Sequence, residues 1–373
     1  MNEDKSARYH KRRRRAAVVS VAWSAGVLAL FAFTPASLAL RDLSEQLVSR
    51  LAVPETLVPA AVVVAFILGL GLVHEAGSLP IAFYRSFLLE HRFGLSRESA
   101  RRWLGDQVKG LSLSAAFSAA GAAALYTAIR LWPEWWWLVA GAGFAVVTVV
   151  LARLAPVLLL PIFFNFRALR REELRERLVT LSSKAGLRVL DACEWQLSDR
   201  TKKANAALTG IGRTRRILVS DTLLAHYSDD EIEAILAHEM AHHVHGDIWK
   251  GIALESGAAL LGFYLMRVVL QRLWEPMGWR GIADPAGVPV LVLTAGVLSL
   301  ALLPVTNAIS RARERAADRF AWRLTGNPSA LASAIERLAS QNLAERSPSR
   351  LAVWLFHSHP PVDERIAAAR RQG

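Results

Sequence analysis

His238 and His242 stand four residues apart in the stretch "EAILAHEMAHHVHGD", with Glu239 directly after the first of them. Four residues is just over one helical turn, so on a helix the two imidazoles share a face. Neutral imidazoles so arranged can meet a tetrahedral zinc ion at about 2.0–2.1 Å each. Glu239 then lies beside the pair, placed to take a proton from an attacking water, as the H-E-x-x-H pattern requires. His243 and His245 lengthen the cluster, but the His242/His245 pair has no adjacent glutamate. Both extra histidines are expected to face solvent or lipid headgroups.

Two histidines do not complete a catalytic zinc site, which needs a third protein ligand and an open position. The arrangement with a nearby third histidine, H-E-x-x-H-x-x-G-x-x-H, is absent, because Gly246 falls out of step and no histidine follows within reach. The third ligand must then be a carboxylate from elsewhere. In "NAISRARERAADRFAWRLTG", Glu314 and Asp318 are four apart on one face of an expected helix. Glu314 lies just past the end of an apolar run, on the side expected for the histidine helix. A solvated, ion-paired helix surface is the plainer reading of a glutamate among arginines, and spacing alone leaves both open.

The elements that must position these groups are largely apolar. Runs at 16–40, 57–74, 111–131, 135–152, 251–270 and 287–306 each approach the roughly 20 residues that cross a bilayer. A buried soluble core does not call for so many. The chain is therefore expected to be mainly α, a polytopic membrane protein surrounded by lipid, with six transmembrane helices. The fourth run continues past Arg153 through "APVLLLPIFFNF", and a separate crossing there would make seven. Its two prolines suggest a bent helix end or an interfacial segment instead. The first run is long and ends in a weak cleavage pattern, so it is expected to stay as a helix.

The formal net charge of +13 invites a nucleic-acid reading. However, the cations gather beside the apolar runs: Lys11 to Arg15, then Arg92, Arg97, Arg101, Arg102 and Lys109, then Arg167, Arg170 and Arg171. That distribution sets membrane orientation, and no nucleic-acid partner is expected. It puts the N-terminus, 75–110, 166–250 and the tail after 306 in the cytoplasm. The connections 41–56, 132–135 and 271–286 lie opposite. The lone cysteine, Cys193, excludes an intrachain disulfide and a thiolate zinc cage.

Residues 166–250 change character. Leu174, Leu178 and Leu181 form one stripe of a charged helix stopped near Gly186. Strand-like pieces follow in "RVLDACEW", "NAALTG" and "RRILVS". Ser228 with Glu231 is a capping box, so a helix beginning near 229 carries the histidines. Later, Leu331, Ile335 and Leu338 mark a packing helix. Four regions are expected: 1–165, an N-terminal membrane region; 166–250, a cytoplasmic catalytic insert; 251–306, a helix pair; and 307–373, a segment bringing the third ligand.

Five ordered stretches resemble the M48 family of membrane zinc metalloproteases, which includes the Ste24-type CAAX prenyl proteases and HtpX-type quality-control proteases. They are "LPIAFYRSFLLEHRFGLS" with "DQVKG", "LSDRTKKANAALTGIGRTRRILVSDTLL", "LAHEMAH", "SRARERAAD" and "HSHPPVDERI". The first of them favours the Ste24-type branch. The resemblance implies a gluzincin-like α+β protease domain, one zinc ion per chain, and His238, His242 and Glu314 as its ligands. It implies Glu239 as general base, His359 as oxyanion stabiliser and Asp318 as the hydrogen-bond partner of a ligating imidazole. Arg365 would orient or neutralise that region or form a structural ion pair. Asn205 and Ala206 would lie on an edge strand that pairs with extended substrate.

The chain has Ala207 and Ala241 where eukaryotic prenyl proteases usually have an aromatic residue and a glycine. Those exchanges leave the ligands intact and weaken any inference about substrate side chains. Compact length and Ala/Arg-rich usage suggest a bacterial inner-membrane protein, for which prenylated CAAX substrates are not expected. The implied activity is metal-assisted hydrolysis of peptides or unfolded tails of membrane proteins. The rivals are an HtpX-like quality-control protease, an intramembrane protease of the site-2 type, an inactive scaffold, and a transporter.

Overall fold

The computed structural model describes residues 2–210 and 212–372. Among them six helices are long and apolar enough to cross a membrane: Lys5–Phe33, Glu55–Arg92, Ala100–Leu131, Trp136–Phe163, Asp247–Leu273 and Pro285–Thr325. The seventh crossing does not form. Pro156 lacks an N–H and Pro161 follows it, and the helix absorbs both through a π turn at Ala155–Leu159 before ending at Phe163.

The first apolar run is broken. Its helix stops at Phe33, and Pro35 starts a separate helix, Ala36–Ser49. That short helix packs at one end of the bundle, where a buried Arg41–Asp284 pair (2.8 Å) and Arg280–Glu45 (2.6 Å) join it to the connection before the last span. Connections 41–56 and 271–286 therefore share an end, as the basic flanks required.

At the other end the first helix runs past the apolar layer and clasps the far end of the chain. Ser6 Oγ donates to the Leu343 and Ala344 carbonyls at 3.0 and 2.9 Å, and Arg14 pairs with Glu345 at 2.5 Å. Tyr9 donates to Glu90 at 2.5 Å, and Lys203 meets the same carboxylate at 2.8 Å. Leu343 sits at φ 51, the one non-glycine residue with positive φ among the described residues.

The extramembrane part is a small α+β unit. Four strands, β1 (Phe166–Ala168), β2 (Asp191–Trp195), β3 (Ala206–Thr209) and β4 (Arg216–Ser220), lie in the order β1-β2-β4-β3. β2 and β4 are parallel; the outer pairings are antiparallel. Leu174 and Leu178 of helix Glu172–Lys184 pack with Ile217, Val219, Ile232, Leu236, Leu331 and Ile335 into one core. Gly186, at φ 71, closes the first of these helices in the left-handed turn expected there. Two of the three boundaries between the expected regions, 250/251 and 306/307, fall inside the helices Asp247–Leu273 and Val288–Thr325. Membrane spans thus continue directly into the site.

Candidate metal centre

The histidines ride on helix Asp229–Val244, whose start is fixed twice over. Ser228 Oγ accepts from the Glu231 amide, and the Glu231 carboxylate accepts from the Ser228 amide at 2.9 Å. That same buried carboxylate accepts from Ser333 Oγ at 2.7 Å and pairs with Arg337 at 2.9 Å, which ties the cap to the packing helix Pro328–Gln341. The rotation of the histidine helix is thereby set.

Helix Val288–Thr325 crosses it and brings Glu314 and Asp318, both buried. His238 Nε2 lies 3.3 Å from Glu314 Oε2, and His242 Nε2 lies 3.4 Å from Glu314 Oε1. The ligand-capable atoms of these three residues all fall within 4.8 Å of one another. A tetrahedral zinc with bonds of 2.0–2.1 Å has ligand–ligand edges of about 3.4 Å, so the two N···O separations match. Glu314 Oε2 is buried and has no hydrogen-bond partner among the described residues. A buried carboxylate oxygen left without a donor calls for a cation.

The tautomers agree with that reading. His238 Nδ1 hydrogen-bonds Asp318 Oδ1 at 2.9 Å, and His242 Nδ1 hydrogen-bonds Asp247 Oδ2 at 2.9 Å. Each carboxylate accepts the Nδ1 proton and leaves the Nε2 lone pair facing Glu314. Asp247 was not anticipated from sequence. Gly246, at φ 67, ends the histidine helix and turns the chain back, so that Asp247 opens the next helix against His242.

Arg365 grips Asp318 through two bonds of 2.8 and 2.7 Å, forming the ion pair rather than a group aimed into the cleft. His359 lies at the mouth, 61% exposed, with Nε2 3.5 Å from Glu314 Oε1. Its loop is held from the Glu314 helix, where Arg311 donates to the His357 carbonyl at 2.7 Å and Asn307 to Leu355 at 2.8 Å. His357 itself points away, 3.7 Å from Glu345.

Of the two extra histidines, His243 does not simply face solvent or headgroups, and His245 is half-buried. His243 Nε2 donates to the Leu208 carbonyl at 2.8 Å, and His245 meets the Phe320 ring edge-on at 5.6 Å between centroids. A strand packed over the helix supplies an acceptor that the sequence alone does not reveal. Asn205 precedes β3 and Ala206 begins it, and β3 is one of the two outer strands of the sheet.

Burial would pull the His238 pKa down, but the Asp318 and Glu314 carboxylates beside the ring outweigh it and raise it to about 9. Against the same penalty of burial, Glu314 and Asp247 raise that of His242. Burial lifts the Glu239 carboxyl above its ordinary value, and the two histidines pull the other way.

Six membrane helices feeding an H-E-x-x-H cluster with a third, distant carboxylate define a membrane metallopeptidase. The comparisons agree. Residues 168–372 match the model of peptidase family M48, and residues 2–165 match the CAAX prenyl protease N-terminal model, described as five membrane helices. In this chain that region holds four spans and the short Ala36–Ser49 helix. An uncharacterized metalloprotease of Bacillus subtilis, YhfN, is 30% identical over 83% of this chain and 73% of its own length. CAAX prenyl protease 1 of Saccharomyces cerevisiae is 27% identical over 78% of this chain and 68% of its own. The crystal structure of S. mikatae Ste24p superposes with a TM-score of 0.85 at 24% identity, covering 99% of this chain and 89% of that one. The chain belongs to peptidase family M48 and is a membrane metalloendopeptidase of the Ste24 type.

Proposed function

We propose that His238, His242 and Glu314 hold one zinc ion per chain and that Glu239 is the general base of peptide hydrolysis. The observation that carries this is a buried Glu314 carboxylate, its Oε2 orphaned, facing two imidazoles whose Nδ1 atoms are already engaged. Zinc held there supplies Lewis acidity and makes water a nucleophile near neutral pH. Glu239 takes the proton of the attacking water and returns it to the leaving amine. His359 at the mouth donates to the developing oxyanion. Asp318 and Asp247 keep the two imidazoles in their ligating tautomers, and Arg365 holds Asp318.

The substrate is an extended peptide or an unfolded tail of a membrane protein, laid along β3 at Asn205 and Ala206. Several relatives are named for prenylated CAAX substrates, but the groups gathered here address metal and peptide backbone, so no prenyl group is required. Lys11 to Arg15 and the basic segments 92–109 and 167–171 favour a bacterial inner membrane with the catalytic unit in the cytoplasm.

The test is zinc content and cleavage of a quenched peptide library by detergent-purified protein, wild type against Glu239→Gln. About one zinc in both, with cleavage lost at least a hundredfold in the variant, is expected. Absence of zinc from folded protein would overturn the reading.

A further inference from the structure

The outer side of β3 is mostly closed. β3 pairs with β4 in the register Ala206↔Val219, which sets Asn205 opposite Ser220, and the Ser220 amide donates to the Asn205 carbonyl at 3.0 Å. Residues of an antiparallel ladder alternate. Asn205, Ala207 and Thr209 therefore turn their peptide groups toward β4, while Ala204, Ala206 and Leu208 turn theirs to the free side.

Of those three, Ala204 is occupied on both groups and Leu208 on its carbonyl alone. The Ala204 amide donates to Asn342 Oδ1 at 3.1 Å, and Asn342 Nδ2 donates back to the Ala204 carbonyl at 3.3 Å. The carboxamide thus imitates a neighbouring strand residue. The Leu208 carbonyl takes the His243 bond at 2.8 Å. Ala206 lies between them, and among the described residues neither a side chain nor backbone outside the sheet bonds its N–H or C=O. It is 7% exposed, so that pair has little water to turn to and gains from a partner. The strand cannot roll to offer other groups, because the Ala204, Ala206 and Leu208 side chains are fixed in the core.

We infer that Ala206 is the one residue of the docking edge open to a full two-bond exchange, so that a single substrate amide N–H is received there, and that Asn342 and His243 are the stops that fix the substrate's register. The inference rests on the proposal that β3 receives substrate backbone. One residue of an antiparallel peptide exchanges both hydrogen bonds with Ala206. Both stops are rigid. His243 follows His242 on the metal helix, so the docking point is tied to the metal. Asn342 precedes Leu343, whose carbonyl is held by Ser6 and His10. A strand that slips keeps its side-chain faces only in steps of two residues, and the next outward carbonyl on either side is already taken. Asn342 and His243 are positioning residues here.

An N-methyl scan tests this. A peptide cut at one bond is prepared with a single N-methyl group at each amide in turn, sparing the scissile one, and KM and kcat are measured. In wild type one position is expected to raise KM about tenfold, the loss of one hydrogen bond, with kcat little changed. Asn342→Ala should add a second sensitive amide two residues away, and His243→Phe one on the opposite side.

Two or more sensitive amides in wild type would overturn the single register while leaving edge docking in place. An unchanged scan in both variants, with melting temperature and zinc content intact, would overturn the stops. If no amide is sensitive, edge docking falls together with the inference, while Glu239→Gln still decides the hydrolase separately. The wild-type scan keeps its force if either variant fails to fold.

Discussion

The two histidines are braced in opposite ways. His238 is held by Asp318, a carboxylate 80 residues away in sequence, buried and clamped in turn by Arg365. His242 is held by Asp247, five residues on, around a single glycine turn. The first brace joins three separated stretches of chain, so it exists only when the whole domain is assembled. The second is local, between a half-buried His242 and a buried carboxylate that also has Arg313 and Lys250 at 3.8 and 3.9 Å. One imidazole is set by tertiary packing, the other by a turn.

That difference predicts unequal consequences for equal chemistry. Asp318→Asn is expected to weaken zinc binding about a hundredfold, since it also leaves Arg365 buried without its partner; Asp247→Asn should cost about tenfold. Chelator competition on the two variants measures both, and equal losses would break the distinction.

Proton competition comes next. A folded-state His238 pKa of about 9 means that zinc must displace a proton at every pH below that value. Apparent zinc affinity should therefore rise at least tenfold per pH unit from pH 6 to 8, and more steeply where His242, also raised, holds a second proton. It should fall, not rise, on acidification; a flat profile would mean that the imidazole is already neutral.

Arg365→Met should have the smallest effect on metal. Its positive charge lies close enough to help pull down a Glu239 pKa that burial raises. Glu239 acts when deprotonated, so activity is lost as pH falls through its pKa. Removing the arginine should shift the acid limb of kcat/KM to higher pH by a fraction of a unit, with kcat near its optimum lowered only severalfold. A limb that stays in place would confine Arg365 to bracing Asp318.

What the sequence made legible follows the same division. Periodicity identified the spans, the core stripe Leu174/Leu178/Leu181 and the capping box at Ser228, because each repeats over a turn or more. Glu314 and Asp318 were reached because one helix face carries them both and because the stretches around them resemble a family. Asp247 was invisible: at five residues from His242 it lies off the helical face, and only the φ of Gly246 brings it back. The bond of His243 to Leu208 depends on how a strand crosses the helix, which no local pattern encodes. β1 has three residues, too few to alternate visibly. The break at Phe33 was missed because Thr34 and Pro35 sit within an otherwise unbroken apolar run.

The clasp between Ser6 and Leu343 joins groups 337 residues apart, and Glu314, Asp318 and Arg365 all follow the start of the last membrane helix. During translation the ribosome delivers the H-E-x-x-H helix long before any of them. A nascent chain carrying His238 and His242 thus has the Asp247 brace but neither the proposed third ligand, nor the Asp318 brace, nor the clasp. With the proposed ligand set, the hydrolase would stay unarmed while its own unfolded segments are still emerging beside it.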